Sequence, residues 1–361
     1  MVKKAAALFL ICVGIATWMS CGSTGNNFLY AAIPATNAIL AYREDPNGGI
    51  LTPLVTSPIT AGTAVQALIV HPSKKFLYAA NSGEGDVSLF TISSEGTLSE
   101  TGSRAIAGIA PSLLAMDSAG KYLYVGNTGS FDISIFSINA TTGMLSQLGA
   151  NFPIGISPLN LQVTPSDSFL YVTGVGTPAG VIEGFSLVNG VPAGQSGQNP
   201  VVPGSPFTTG TAPYGLAIDP TGSYLYTANK LDNSISEFSI GSNGVLTQLA
   251  NSPVGETYIS PVALQIDNSG KYLYVANQGS GNIGAYSIGT GGSLALLSGS
   301  PFASQAQPTV MATDALGHFL FVGNLTNPKI QSFGLNTGNG TLVSVYSYTA
   351  SGAPTSMVVV R

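Results

Sequence analysis

The chain has 361 residues, among them 45 glycines, 22 prolines, 11 basic and 16 acidic side chains, for a formal charge of −5. Charged residues make up 7%, against roughly 25% in an ordinary soluble domain. The 44% hydrophobic content can bury a large core, which excludes charge-driven disorder. Scarce Glu, Lys and Arg argue against helix-rich enzymes and coiled coils, and the lack of a basic stripe argues against a nucleic-acid partner. Two histidines and two cysteines leave little material for a zinc site or a cysteine nucleophile.

At the N-terminus, Lys3 and Lys4 precede an apolar run from Ala5 to Met19, broken only by Gly14 and Thr17. A charged segment followed by about 15 apolar residues is short for a membrane span and reads as a signal peptide over 1–20. Small residues then cluster at Ser20, Cys21, Gly22 and Ser23. This order resembles the bacterial lipoprotein lipobox, which implies that Cys21 is lipidated and becomes the first mature residue. Ser20 fits that pattern, and Trp18 stands where Leu or Val is usual. The plainer alternative is an ordinary secretory peptide cleaved nearby. Both routes export the protein, to the periplasm or to the outer membrane or cell surface. Processing at Cys21 would remove Lys3, Lys4 and Cys12, leaving a charge of −7 and a single cysteine, so no disulfide could form within one mature chain. Residues 21–27 read as a short tether.

From residue 28 onward the chain repeats. An aromatic-Leu-aromatic triplet begins at Phe28, Phe76, Tyr122, Phe169, Tyr224, Tyr272 and Phe319, at intervals of 48, 46, 47, 55, 48 and 47 residues. Within each unit, large apolar side chains alternate with a period near two, and Gly/Asn/Ser/Pro clusters mark turns. In the sixth unit the strands read as Val262 to Asp267, Tyr272 to Ala276, Ile283 to Ile288, and a fourth near Leu294 to Leu297. Asp117, Asp219, Asp267 and Asp314 precede the first turn, where a carboxylate can accept hydrogen bonds from backbone amides ahead. Four strands per repeat of this length predict an all-β fold, a seven-bladed β-propeller with four-stranded antiparallel blades. Proline opens the first strand at Pro111, Pro158, Pro213, Pro261, Pro308 and Pro354. The last of these has no triplet after it, and the Phe28 triplet has no such strand before it. Thr355 to Val360 should therefore complete the blade that Phe28 begins and close the ring.

The repeats, with KYLYVAN at Lys271–Asn277, resemble the seven-bladed lactonase-type propellers, relatives of 6-phosphogluconolactonase, and the YVTN-type surface-protein repeats. The resemblance covers residues 28–361. It implies a ligand face where the loops after the second strands converge with the inter-blade loops on the central channel. Those loops begin at Asn81, Asn127, Gly174, Asn229, Asn277 and Asn324, and an asparagine there either reaches a ligand or, more simply, caps its own loop. For the lactonase activity, the resemblance implies His, Arg and Glu on the channel segments. An Arg-His pair is implied where this chain has Tyr214-Gly215, a Glu where it has Lys230, and a His near Leu159. None of these is present.

The expected site is accordingly a ligand-binding channel mouth around Tyr214, Lys230, Tyr258 and Gln278, with no catalytic residue, metal or cofactor. His71 and His318 read as solvated turn residues on the opposite face. Gly279–Gly284 matches GxGxxG, yet a strand and not a helix follows it. Glu84, Asp86, Asp232 and Glu256 lack the spacing of a calcium site and read as solvated loop carboxylates. The long fourth interval places an uncharged insertion at 189–206, a protruding decoration or a partner contact. The resulting expectation is an exported, lipid-anchored, monomeric propeller that binds a small molecule, a glycan or an envelope protein and meets the membrane only through its lipid. The alternative is a lactonase acting on sugar-acid lactones. A quinone-dependent dehydrogenase is disfavoured, because its pocket would need more charged residues.

Overall fold

The computed structural model describes residues 27–176, 179–193, 201–255, 258–305 and 307–361. Cys21, the leader and Glu256 lie outside them. The described residues form seven antiparallel sheets, numbered here as blades 1 to 7 by their aromatic triplets. Blade 6 shows the pattern: inner strand Pro261–Ile266, second Tyr272–Asn277, third Asn282–Ile288 and outer Leu294–Leu296, with the short Phe302–Ala303 continuing the outer edge. The core comes in seven apolar clusters, each shared by two adjacent blades. A single blade therefore buries neither of its faces alone.

The triplets explain how neighbouring blades register. Their first ring lies against a left-handed glycine in the turn between third and outer strands of the next blade. At Gly292 (φ +78°) an added Cβ would fall 2.2 Å from the Tyr224 ring, and at Gly96 (φ +77°) 2.2 Å from Phe28. Only glycine satisfies both the backbone angle and the ring. The third residue of the triplet then donates its hydroxyl to the carbonyl of that same glycine: Tyr30 to Gly96 at 2.7 Å, Tyr226 to Gly292 at 2.7 Å, Tyr274 to Gly340 at 2.9 Å. The Asp turns form as expected. Asp219 Oδ1 accepts from the Ser223 and Tyr224 amides, both at 2.7 Å, and Asp267 Oδ1 from Lys271 and Tyr272, both at 2.8 Å.

The ring closes as the repeats imply. Ser356–Val360 pairs antiparallel with blade 1's second strand, Ala32 opposite Ser356 and Phe28 opposite Val360. At this seam the triplet ends in Phe321, which has no hydroxyl. Phe319 still packs on Gly49, and the Leu51 amide donates to the Tyr348 hydroxyl oxygen at 2.7 Å. The insertion in blade 4 begins and ends inside the sheet. Val191–Pro192 pairs with the third strand, Val201 bridges Phe185 and Val202 is buried; its middle, 194–200, lies outside the described residues.

Two predictions follow from the seam. Deleting residues 354–361 removes one strand pairing of five residue pairs and the buried Met357 and Val360, at about 1.5–3 kcal/mol per side chain. It also removes Ser356, whose Oγ accepts from the Leu68 amide of blade 2 at 3.0 Å. The truncated chain is expected to lose its cooperative melting transition or to melt far below the full chain. The second concerns Glu44, 2% exposed and without a hydrogen-bond partner for either oxygen. Burial, with Asp314 and Asp45 adding repulsion, pushes this carboxyl up to about 7. A carboxyl raised on folding destabilises the fold progressively as pH rises from about 4.5 to about 7, by at most about 3 kcal/mol. Glu44→Gln should therefore melt above the wild type at pH 8 and lose that advantage at pH 4.5, as thermal melts across pH would record.

Candidate functional site

The channel is walled by the seven inner strands and encloses about 610 Å³. Its wall is made by residues such as Leu114, Met116, Leu216 and Met311, with Gln162 and Gln265 as polar interruptions. Both glutamines are engaged: Gln162 Oε1 accepts from the Ile218 amide at 3.0 Å, and Gln265 Nε2 donates to the Ile266 carbonyl at 2.9 Å. Among the described residues of the lining, Asp267 alone is ionisable, and its carboxylate is taken up by its own turn.

A recurring distortion shapes the mouth. In blades 2 to 7 the inner strand bulges one residue after its first, leaving Gln66, Ser112, Leu159, Tyr214, Val262 and Thr309 out of register. A bulge re-aims the side chain it carries and is common beside functional sites. These residues open the inner strands at the end of the channel away from Asp267, outside the lining of the 610 Å³ cavity, and none is an acid or a base at neutral pH. Tyr214 is the largest, 40% exposed. Its carbonyl accepts from Asn160 Nδ2 at 3.1 Å, which ties the bulge to the neighbouring blade.

Lys230 follows Asn229, and its amide donates to the Ala212 carbonyl at 3.0 Å, as does the amide of Tyr214. The two side chains therefore meet, with Lys230 Nζ 4.8 Å from the centre of the Tyr214 ring. Such a cation–π contact contributes about 0.5–1 kcal/mol at an exposed site. No carboxylate lies within ion-pair distance of Lys230 among the described residues. Gln278 and Tyr258 belong to the next blade. The Gln278 amide donates to the Ser260 carbonyl at 2.9 Å, and Asn233 Oδ1 receives the Ser260 amide at 2.8 Å, so the loops of the two blades are joined through the Asn233 side chain. Among the described residues neither Gln278 nor Tyr258 shares a hydrogen bond or ring contact with Tyr214 or Lys230. The structure thus brings one pair of the four expected residues into contact and sets the other beside it.

Four of the loop-starting asparagines, Asn81, Asn127, Asn229 and Asn277, are clasps. Asn81 Nδ2 donates to Asp86 at 2.7 Å and to Ser88 at 2.9 Å, and Asn229 Nδ2 to Ser234 at 3.0 Å and Ser236 at 2.9 Å; both asparagines are fully buried. Each holds the second strand to the third. Two expectations need correction. His71 is 5% exposed and not solvated. Its Nδ1 accepts from the Ser73 amide at 3.0 Å, and Nε2 lies 2.9 Å from the Gly120 carbonyl of the next blade, a contact that requires the Nε2–H tautomer. Asp86 is likewise buried, and with Glu84 and Glu100 it surrounds Arg104, whose Nε lies 2.7 Å from Glu100 Oε1. His318 is exposed as expected. No three His, Cys, Asp or Glu side chains among the described residues are disposed to hold a metal.

Fold and channel together define a seven-bladed propeller closed by its C-terminal strand. The family model described as "Lactonase, 7-bladed beta-propeller" matches residues 21–159, 194–306 and 263–359, and the chain belongs to that family. A candidate 6-phosphogluconolactonase of Bacteroides fragilis is 19% identical, with a TM-score of 0.78 over 94% of this chain and 99% of that one. The periplasmic gluconolactonase of Pseudomonas aeruginosa is 18% identical, with a TM-score of 0.76 over 93% and 99%. A Lactobacillus plantarum protein is 17% identical, with a TM-score of 0.78 over 93% and 99%. At these identities the likeness is one of fold. No curated protein matches the chain significantly.

Proposed function

We propose that the protein is an exported, lipid-anchored propeller whose channel mouth binds a small sugar-like ligand, with a sugar acid or its lactone as the class that fits best. The observation that carries this reading is the Tyr214–Lys230 pair on a rim of uncharged bulge residues. The Tyr214 ring offers a flat surface to a sugar ring, and the Lys230 ammonium can meet one carboxylate or carbonyl oxygen. Breaking a lactone asks for more. General acid–base assistance contributes roughly 10²–10⁴ in rate, and a rim of Gln66, Ser112, Leu159, Val262 and Thr309 offers no group to supply it.

Lactone hydrolysis is the second reading, favoured by the family match and by the gluconolactonase named among the structural relatives. In that case Lys230 would polarise the lactone carbonyl. One experiment separates the two. Glucono-lactone and gluconate binding would be measured by calorimetry beside lactone opening by pH-stat. Binding is expected to saturate and to weaken about tenfold in Tyr214→Ala and Lys230→Ala, while lactone opens at its spontaneous rate. Hydrolysis well above that rate, lost in Lys230→Ala, would replace binding with catalysis.

A further inference from the structure

A propeller blade here ends in an outer strand whose far edge has no partner among the described residues, and such an edge is a template for another strand. Six of the seven blades guard it. Their outer edges are split into a short first piece and a two-residue second piece, as in Leu51–Pro53 with Ile59–Thr60 and Leu246–Gln248 with Val254–Gly255. Between or within the pieces lie Pro53 and Pro58, Pro153, Pro192 and Pro206, Pro253, and Pro301. Blade 2 lacks a proline there and carries the Glu100–Arg104 ion pair instead. Proline, interruption and charge are the usual protections of an edge.

Blade 7 has no proline, no break and no charge on that edge, and a bulge is its one irregularity. Its outer strand, Leu342–Thr349, runs eight residues and pairs along the whole third strand, from Leu335 opposite Leu342 to Lys329 opposite Thr349, with a single-residue bulge at Val345. It contains no charge, no proline and no glycine, and four of its eight residues are Val or Tyr. Val343 is 66% exposed and Tyr346 48%. We propose that this strand is a self-association edge, on which a second copy of the chain docks its own Leu342–Thr349 antiparallel across a two-fold axis. A two-fold pairing of identical strands satisfies both copies' free backbone groups with the same residues. In an acidic chain, a neutral edge also lets two copies meet without the repulsion that their other surfaces carry. The monomer expected from sequence would then be the dilute form.

Sedimentation velocity of the full chain in mild detergent, over a wide concentration range, tests this against Val343→Lys, Tyr346→Lys and Leu296→Lys. The last places the same charge at an exposed position on the outer strand of blade 6. The wild type and Leu296→Lys should dimerise alike, and each blade 7 variant should weaken the dimer about tenfold or more. Hydrogen exchange at 342–349 should slow in the wild type as concentration rises. Melting curves establish which variants fold, and either blade 7 variant suffices alone. A wild type that stays monomeric would overturn the proposal, even if this edge captured another protein's strand. So would a dimer that all three variants leave intact, or one that all three weaken equally.

Discussion

The structure depends on one contact made seven times: an aromatic ring laid on a left-handed glycine of the following blade. In six blades a buried tyrosine hydroxyl also reaches that glycine's carbonyl, 65, 66 or 73 residues ahead. Each strand of a blade is short, and each apolar cluster spans two blades, so no unit is stable until its neighbour is in register. The ring and hydroxyl set that register together, because the glycine can neither be replaced nor shifted without losing both. A net contribution of about 1 kcal/mol per hydrogen bond, repeated around the ring, is comparable with a domain's whole stability of roughly 5–15 kcal/mol.

The same repetition explains why the fold says little about chemistry. Blades need their triplets, glycines, turn aspartates and clasp asparagines in order to pack, and these are buried. What remains free to vary is the bulged residue at the start of each inner strand and the loop beside it, where Tyr214 and Lys230 meet. Propellers host many functions for this reason. In this chain the six bulged positions hold Gln66, Ser112, Leu159, Tyr214, Val262 and Thr309, none of them an acid or a base at neutral pH.

Much of the fold was legible because it rests on local periodicity: the triplets, the prolines before the inner strands, and the unpaired strand at each end of the repeat array. The contacts joining blades were not, although their signal was present as a glycine at a nearly constant distance beyond each triplet. His71 shows the limit. A histidine at a turn position reads as solvated until the next blade is built and places the Gly120 carbonyl 2.9 Å away. Asp86 was misjudged for the same reason, since Asn81 and Arg104 enclose it only after the loop folds. The Tyr214–Lys230 contact joins the bulge of an inner strand to the loop after a second strand, so the sequence could place both residues at the mouth without showing that they touch. The open edge of blade 7 had a visible mark in the lack of the proline that blades 1, 3, 4, 5 and 6 carry within or between the pieces of their outer edges, a mark whose meaning depends on knowing that proline interrupts those edges.

The central claim, that ring-on-glycine contacts hold the blades in register, is tested most directly at the turn Gly291–Gly292. An added Cβ at Gly291 meets nothing within 4 Å, whereas at Gly292 it strikes the Tyr224 ring. Denaturant unfolding of Gly291→Ala, Gly292→Ala and Tyr226→Phe separates the glycine's two roles from the general effect of an alanine. Gly291→Ala should unfold with the wild type. Tyr226→Phe should lose about 1–3 kcal/mol by stranding a buried carbonyl. Gly292→Ala should lose more, since the left-handed backbone alone costs about 1–2 kcal/mol and the ring must also move. Unfolding of all three at the wild-type midpoint would contradict the account.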